Sequence, residues 1–239
     1  RLATYASVTV AVFLILVKLV AWSQSDSVSL LATLIDSILD AFASIINLFA
    51  VRHALTPADK EHRFGHGKAE ALAGLSQSLF IAGSALFLLI EVGSNIINPV
   101  EIKYPIISMI VVAVTIVVTL LLVGFQQYVI KKTQSVAITA DAMHYKSDLL
   151  MNSAVILALW LSTMGLSIFD PIIGGIIACY ILYSAWNILQ TSMDQLMDRE
   201  LPDDVRDNII KIVCAHPKAL GLHDLRTRHS GTMTFIQFH

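Results

Sequence analysis

Charged residues are scarce in this sequence of 239 residues. Asp, Glu, Lys and Arg make up 14% of it, whereas a typical soluble domain contains about 25%. Hydrophobic residues make up 56%, and the mean hydropathy is +0.71. This composition excludes an ordinary soluble protein and predicts an integral membrane protein in a lipid bilayer. The net charge of −2 offers no basic surface, so no nucleic-acid partner is expected.

Cysteine is also scarce, because the chain contains only Cys179 and Cys214. Two isolated cysteines exclude a disulfide framework and a Cys-x-x-Cys metal motif. The sequence also lacks a His-Glu-x-x-His motif and a nucleophile beside a base. It therefore predicts neither an enzyme nor an organic cofactor.

Six apolar stretches approach or exceed the length of about 20 residues that crosses a bilayer. The fifth is predicted to begin earlier than its apolar run, between Val136 and Asp141, because a buried helix face can carry polar residues. The first lacks a small-residue cleavage site and is interpreted as a membrane helix, not a removable signal peptide. The stretches are Tyr5–Trp22, Val28–Val51, Ala71–Ile90, Pro105–Ile130, Leu149–Phe169 and Pro171–Met193. Residues 1–196 are thus predicted to form an all-α domain of six transmembrane helices.

Basic residues collect in the loops on one side of these helices. The opposite loops carry almost none, with only Lys103 in the segment 98–104. Because Lys and Arg mark the cytoplasmic side, both termini are predicted to be cytoplasmic. The basic loop residues are Arg52, Lys60, Arg63, Lys68, Lys131 and Lys132.

The composition becomes polar after Met193. Pro202 opens an amphipathic helix that is predicted to end near Cys214. Two strands, 223–229 and 233–239, are predicted around a Ser-Gly turn. One helix and two strands are too little to fold alone. Residues 197–239 are therefore predicted to be the first part of a cytoplasmic α+β domain.

Two carboxylates, Asp36 and Asp40, stand four residues apart within the second apolar stretch. Each costs about 2.5 to 3.5 kcal/mol at the centre of a membrane helix, so membrane solubility does not explain them. At this spacing they share one helix face. We therefore interpret them as functional.

The fifth stretch carries a matching pair, His144 and Asp148, also four residues apart. Counted from Arg52 and Lys132 at the cytoplasmic ends, Asp40 and His144 each lie 12 residues into their helices, because 52 − 40 and 144 − 132 are both 12. Asp36 and Asp148 lie one turn deeper. The two pairs are therefore predicted to form one four-cornered site near mid-membrane.

Three carboxylates and one imidazole suit a divalent ion, Zn²⁺ first, in tetrahedral geometry. The absence of sulfur disfavours Cu⁺, and the nitrogen ligand disfavours Mg²⁺ and Ca²⁺. Mn²⁺, Fe²⁺, Co²⁺ and Cd²⁺ stay open. The alternative interpretation is a proton-sharing polar cluster that only holds the two helices together.

Asp59, His62 and His66 have the spacing of metal ligands in the loop that follows the second stretch. The alternative for this loop is an ordinary solvated basic segment. The other histidines carry a weaker signal, and from spacing alone they are predicted to be surface or interfacial residues. They are His53, His216, His223, His229 and His239.

Several motifs together resemble the cation diffusion facilitator family, most closely bacterial zinc exporters of the YiiP type. The motifs span nearly the whole chain. They are Asp36-x3-Asp40, His144-x3-Asp148, Phe64-Gly-His-Gly-Lys-Ala-Glu70, Asp170-Pro171-x2-Gly174 and Leu222-His-Asp-Leu-Arg-Thr-Arg228. The resemblance implies a homodimer in the bacterial inner membrane, joined through its membrane domains and its ferredoxin-like cytoplasmic domains. It also implies export of Zn²⁺, and of Cd²⁺, in exchange for protons by alternating access, with Fe²⁺ left open.

The resemblance also implies the roles of individual residues. The transport site falls on Asp36, Asp40, His144 and Asp148. A second site, for Zn²⁺ as a structural or regulatory ion, falls on Asp59, His62 and His66. A salt bridge falls on Lys68 and Asp198, and the first ligands of a cytoplasmic two-metal site fall on His223 and His239. The later ligands of that last site are expected beyond His239.

Two other classes of protein are alternatives to a transporter. A membrane metalloenzyme needs an open coordination position for water, whereas all four predicted corners are protein ligands. A passive channel would conduct in both directions without using a proton gradient. Metal ligands must be deprotonated, so metal binding at this site is expected to expel protons, which favours an antiporter.

Overall fold

The structure of the chain is a computed structural model that describes residues 2–25, 28–97, 106–163, 169–219 and 221–239. Within these ranges the chain forms long helices followed by a short helix and a β-hairpin. The elements are α1 (Leu2–Ser25), α2 (Val28–Ala54), α3 (Lys68–Ile97), α4 (Ile106–Thr133), α5 (Val136–Thr163), α6 (Phe169–Leu196), α7 (Asp203–Cys214), β1 (Arg226–Ser230) and β2 (Met233–Gln237). The non-cytoplasmic loop predicted at 98–104, which contains Lys103, lies outside the described residues.

Five of the described helices, α1 to α4 and α6, are long and apolar enough to cross a membrane. Helix α5 is equally long, at 28 residues, but it carries Asp141, Lys146 and Asp148. The helices make the chain a multi-pass membrane protein. The position of α5 within the bundle explains why it carries more polar residues than the other long helices.

Helix α5 lies among the other long helices and packs against α1, α2, α3, α4 and α6. From Ser135 to Tyr145 every side chain is buried except Thr139, which is half-buried. The helix begins where the sequence predicts, because the Ser135 hydroxyl accepts a hydrogen bond from the Ile138 backbone N–H at 3.2 Å and caps the first turn. The polar residues in this first part of α5 therefore meet protein, not lipid.

The outward face of α2 carries large exposed apolar side chains, Phe42, Ile46 and Phe49. Its inward face carries buried Ser44 and Asn47. Lipid is the medium that accepts such an apolar exterior, and a polar stripe pointing inward is typical of a membrane helix bundle. The face of α2 that bears the two aspartates is therefore fixed toward the bundle interior.

The hairpin of β1 and β2 is antiparallel and pairs Thr227 with Ile236, and its turn contains Gly231 with φ +59°. The predicted strand bounds were too wide, since β1 begins at Arg226 and β2 ends at Gln237. The ladder is interrupted because Asp224 adopts φ +54°, which an extended strand does not allow. Helix α7 ends at Cys214 as predicted, and none of its described side chains is buried.

The hairpin packs against the α2–α3 loop through an aromatic and cationic stack. The Phe64 and Phe235 rings meet edge to face with centroids 5.7 Å apart. The Arg228 guanidinium lies 4.5 Å from the Phe64 centroid and 5.3 Å from that of Phe235. Such cation–π contacts contribute about 0.5 to 1 kcal/mol at exposed sites. The soluble and membrane parts are thus joined beside the loop that carries Asp59, His62 and His66.

Candidate metal-transport site

Three of the four predicted corners converge in the interior of the bundle. One ligand atom each of Asp40, His144 and Asp148 lies within 4.8 Å of the others. His144 Nε2 is 3.0 Å from Asp40 Oδ1 and 3.8 Å from Asp148 Oδ2. Donor atoms around a tetrahedral zinc ion are about 3.4 Å apart. The cluster thus has nearly the spacing of a metal site, and it is formed by α2 and α5 together.

The imidazole of His144 is held in place from several sides. Its side chain is only 6% exposed, whereas those of Asp40 and Asp148 are 24% and 35% exposed. The Phe80 ring from α3 packs edge-on at a centroid distance of 5.8 Å, and the Tyr145 ring lies at 5.5 Å. The nitrogen ligand is therefore rigid, and the two carboxylates face an open space.

That space is a cavity of about 200 Å³ whose lining includes Asp40, Asp148 and the fourth predicted corner, Asp36. Asp36 is not among the three residues whose ligand atoms converge. It lies one helical turn from Asp40, which is about 6 Å along the helix axis. Asp36 therefore faces the same cavity without touching the cluster, which differs from the predicted four-cornered arrangement.

Sequence reasoning missed Lys18, which lines this cavity from α1. Its ammonium donates hydrogen bonds to the Ser37 hydroxyl at 2.6 Å and to the Thr33 carbonyl at 3.1 Å. A single Lys in the first apolar stretch was the available signal. Packing of α1 on α2 places this cation on the turn of α2 next to Asp36.

A second buried polar cluster joins α1, α4 and α5. The carboxylate of Asp141 is 1% exposed, and its Oδ2 accepts hydrogen bonds from the Ser7 hydroxyl at 2.5 Å and the Gln126 amide at 2.8 Å. The Tyr145 hydroxyl donates to the Ser7 carbonyl at 3.2 Å and lies 2.8 Å from the Ser44 hydroxyl. These bonds position the helix that presents His144.

The predicted loop residues also come together, outside the membrane segments. Asp59, His62 and His66 each place a ligand atom within 4.8 Å of the others. The carboxylate of Asp59 lies 3.3 Å from His62 Nδ1 and 3.5 Å from His66 Nε2. Hydrogen bonds from the backbone N–H groups of His62 and Glu61 lower the pKa of Asp59, so its carboxylate stays charged at neutral pH.

The predicted salt-bridge partners are in contact, with Lys68 Nζ 3.0 Å from Asp198 Oδ2. Arg228 Nη1 lies 3.1 Å from the same oxygen. Slight burial opposes ionisation, but the hydrogen bond from Lys68 and the charge of Arg228 outweigh it and lower the pKa of Asp198. His223 and His239 are neighbours across the hairpin, since each backbone N–H donates to the carbonyl of the other at 2.6 and 2.9 Å.

Comparison with known proteins agrees with this architecture. Residues 4–197 match the cation efflux transmembrane domain, and residues 201–239 match the cytoplasmic domain of cation efflux proteins. Three similar relatives are each named cation-efflux pump FieF. Those of Cronobacter sakazakii and Escherichia fergusonii are 48% identical over 237 residues, and that of Serratia proteamaculans is 47% identical over 237 residues. Each alignment covers 99% of this chain and 79% of the relative.

A bundle of membrane helices with a cluster of metal-ligand side chains in its interior is the arrangement expected of a membrane transporter of cations. The chain belongs to the cation diffusion facilitator family of cation efflux proteins. The family resemblance predicted from the sequence motifs is thus confirmed. The family consists of divalent-metal efflux transporters, not enzymes.

Proposed function

We propose that this chain is a proton-coupled antiporter that exports Zn²⁺ from the cytoplasm through the site of Asp40, His144 and Asp148, with Asp36 as the fourth ligand. The observation that carries the proposal is the convergence of three ligand atoms, within 4.8 Å, from two separate membrane helices. A cluster that only held helices together would not need to open onto a cavity. Asp36 lines the same cavity, so a change of its rotamer can bring its carboxylate toward an ion bound there.

The ligand set supports Zn²⁺ as the main substrate. One imidazole with carboxylate oxygens suits a borderline ion in tetrahedral geometry, and no sulfur is present to favour Cu⁺. Cd²⁺ is proposed as a second substrate and Fe²⁺ as a further candidate, since the same donors accept both. Selectivity would then depend on geometry and not on ligand type alone.

Charge balance supports coupling to protons. The imidazole of His144 lies within 4 Å of two carboxylates, at 3.0 and 3.8 Å, and without an ion this contact is attractive only when a proton is shared between them. A divalent ion requires the same nitrogen and oxygen atoms in deprotonated form. Charged carboxylates are costly inside a membrane bundle, so the empty site is proposed to hold additional protons, which metal binding expels and whose return releases the metal on the other side.

The proposal extends to the whole molecule. Residues 1–196 form the six-span membrane domain and residues 197–239 belong to the cytoplasmic domain, with both termini in the cytoplasm. The basic loops support this orientation. The relatives named above come from bacteria, which supports the bacterial inner membrane as the location. The match to a cytoplasmic efflux domain supports a homodimer joined at that domain, and contact through the membrane domains is proposed with it.

Asp59, His62 and His66 are proposed to hold a second Zn²⁺ with a structural or regulatory role. The side chain of His66 is 8% exposed, and its Nδ1 is buried without a hydrogen-bond partner among the described residues. The other ring nitrogen of His66, Nε2, lies 3.5 Å from the Asp59 carboxylate, so a metal ion in this cluster would bind Nε2 and hold the ring in place. His223 and His239 are proposed as part of a further cytoplasmic site, supported only by their adjacency across the hairpin.

The test is zinc uptake into proteoliposomes with an imposed pH gradient. His144→Ala and Asp40→Asn should abolish uptake, because each removes one converging ligand, and His216→Ala serves as a surface-histidine control. Wild-type uptake should follow the direction of the pH gradient. Uptake by His144→Ala at the wild-type rate would refute the site, and uptake that ignores the pH gradient would favour a channel.

A further inference from the structure

We propose that His53, at the cytoplasmic end of α2, is a fourth protein ligand of the loop metal site and ties that site to the helix that carries Asp40. This inference rests on the loop site proposed above. His53 stands alone in the sequence, and spacing alone predicts a surface residue. The structure instead places its imidazole directly beside His66.

The rings of His53 and His62 both lie beside the ring of His66. The His53 and His66 centroids are 4.6 Å apart, and the His62 and His66 centroids are 4.5 Å apart. Two imidazoles on one tetrahedral zinc have their centroids roughly 5 Å apart, since each nitrogen is about 2.0 to 2.1 Å from the ion. Both histidines therefore stand at ligand spacing from the buried ring of His66.

The three histidines also share one cavity. His53, Glu61, His62 and His66 line one open cavity of about 520 Å³ between the α2–α3 loop and the hairpin. The nitrogens of His53 lie outside the 4.8 Å cluster of Asp59, His62 and His66. The His53 side chain is exposed, so a change of rotamer, which costs little for an exposed residue, brings a nitrogen to the ion.

Electrostatics favours a cation at this position. His53 lies in the last turn of α2, which ends at Ala54, and the carbonyl end of a helix carries a partial negative charge. The charged Asp59 carboxylate adds to the same field. The competing fourth ligands are Glu61, which lines the cavity, and a water molecule. The ring contact with His66 distinguishes His53 from both.

Four protein ligands would close the site, which is the arrangement of structural zinc sites, whereas catalytic zinc sites keep one position open for water. A closed site that includes His53 would clamp the end of α2 to loop 55–67. The loop in turn contacts the hairpin through Phe64. A metal ion bound at the loop site would therefore fix the orientation of α2, which carries Asp40, relative to the cytoplasmic domain.

The experiment uses the full chain with Asp40→Ala, His144→Ala and His223→Ala, so that neither the transport site nor the site proposed at His223 and His239 contributes. Zinc affinity is measured by competition with a chelating indicator, and Co²⁺ is used as a spectroscopic probe. His53→Ala should weaken zinc binding at least about tenfold, since even outer-shell changes cost 10- to 100-fold. It should also weaken the visible absorption typical of tetrahedral Co²⁺. His53→Cys should restore affinity and add a thiolate-to-cobalt charge-transfer band.

Three further variants separate the possible failures. Asp59→Ala should abolish the remaining zinc binding, and if it does not, the loop site itself is refuted. If Asp59→Ala abolishes binding but His53→Ala changes neither affinity nor the Co²⁺ spectrum, only the role of His53 is overturned. In that case a loss with Glu61→Gln would identify Glu61 as the ligand, and no loss would indicate water. His216→Ala is the matched histidine control and should have no effect.

Discussion

Gly67 lies where the α2–α3 loop meets the tip of the hairpin, and replacing it with alanine should separate the two. A Cβ atom at this position would lie 2.3 Å from the Ser230 carbonyl oxygen and 2.6 Å from its carbonyl carbon. These are backbone atoms that cannot rotate away, so the hairpin must retreat by about 1 Å. Overpacking of this kind typically costs about 1 to 3 kcal/mol. The undocked state of the hairpin should therefore become about 5 to 150 times more populated.

Hydrogen–deuterium exchange of residues 226–237 reports this change, because an isolated two-stranded hairpin is only marginally stable once it is undocked. In Gly67→Ala these amides and those of loop 55–67 should exchange faster, while the membrane helices stay unchanged. Gly83→Ala is the matched control, because a Cβ at Gly83 has nothing within 4 Å and alanine favours a helix. Unchanged exchange in Gly67→Ala would refute the docking geometry.

Two further predictions concern charge. Lys18→Met removes a cation from the cavity beside Asp40, so zinc should bind more tightly in a competition titration. For an ion on the order of 8 Å away in a water-filled space, the gain is about 1 kcal/mol, or about fivefold in affinity. Weaker binding, or the same change in Lys18→Arg, would indicate that Lys18 has a purely structural role. The lowered pKa of Asp198 means that its ion pairs stabilise docking above its ordinary pKa and lose this contribution as pH falls through the lowered pKa. Because Lys68 and Asp198 are 40% and 38% exposed, the contribution should be about 1 kcal/mol or less. Hairpin exchange in Asp198→Asn should therefore exceed that of the wild type at neutral pH and converge with it in acid, and a difference independent of pH would contradict the assignment.

Local spacing was enough to predict the contact between α2 and α5. Asp40 and His144 were matched because each lies 12 residues from a basic helix end, and the structure places them 3.0 Å apart. Depth along a membrane helix can be counted in residues, so the sequence alone predicts it. The same count cannot predict the rotation or tilt of the helices. For this reason the sequence did not predict that Asp36 faces the cavity without joining the cluster.

Contacts between distant elements could not be predicted in this way. Lys18 reaches the cavity only because α1 packs on α2, and no pattern within the first apolar stretch encodes that neighbour. The proximity of His53 to His66 depends likewise on the path of loop 55–67, which Gly65 turns with φ +78°. Asp141 was visible as a polar residue on α5, but its partners Ser7 and Gln126 lie on two other helices.

The most direct test of the central claim is the equilibrium zinc content of the purified chain. With the loop site removed by Asp59→Ala, the protein should retain zinc at the transport site. Adding Asp40→Ala should then remove roughly one zinc ion per chain, because that carboxylate is one of three converging ligands. Zinc content that is unchanged by Asp40→Ala would contradict the assignment of Asp40, His144 and Asp148 as the transport site.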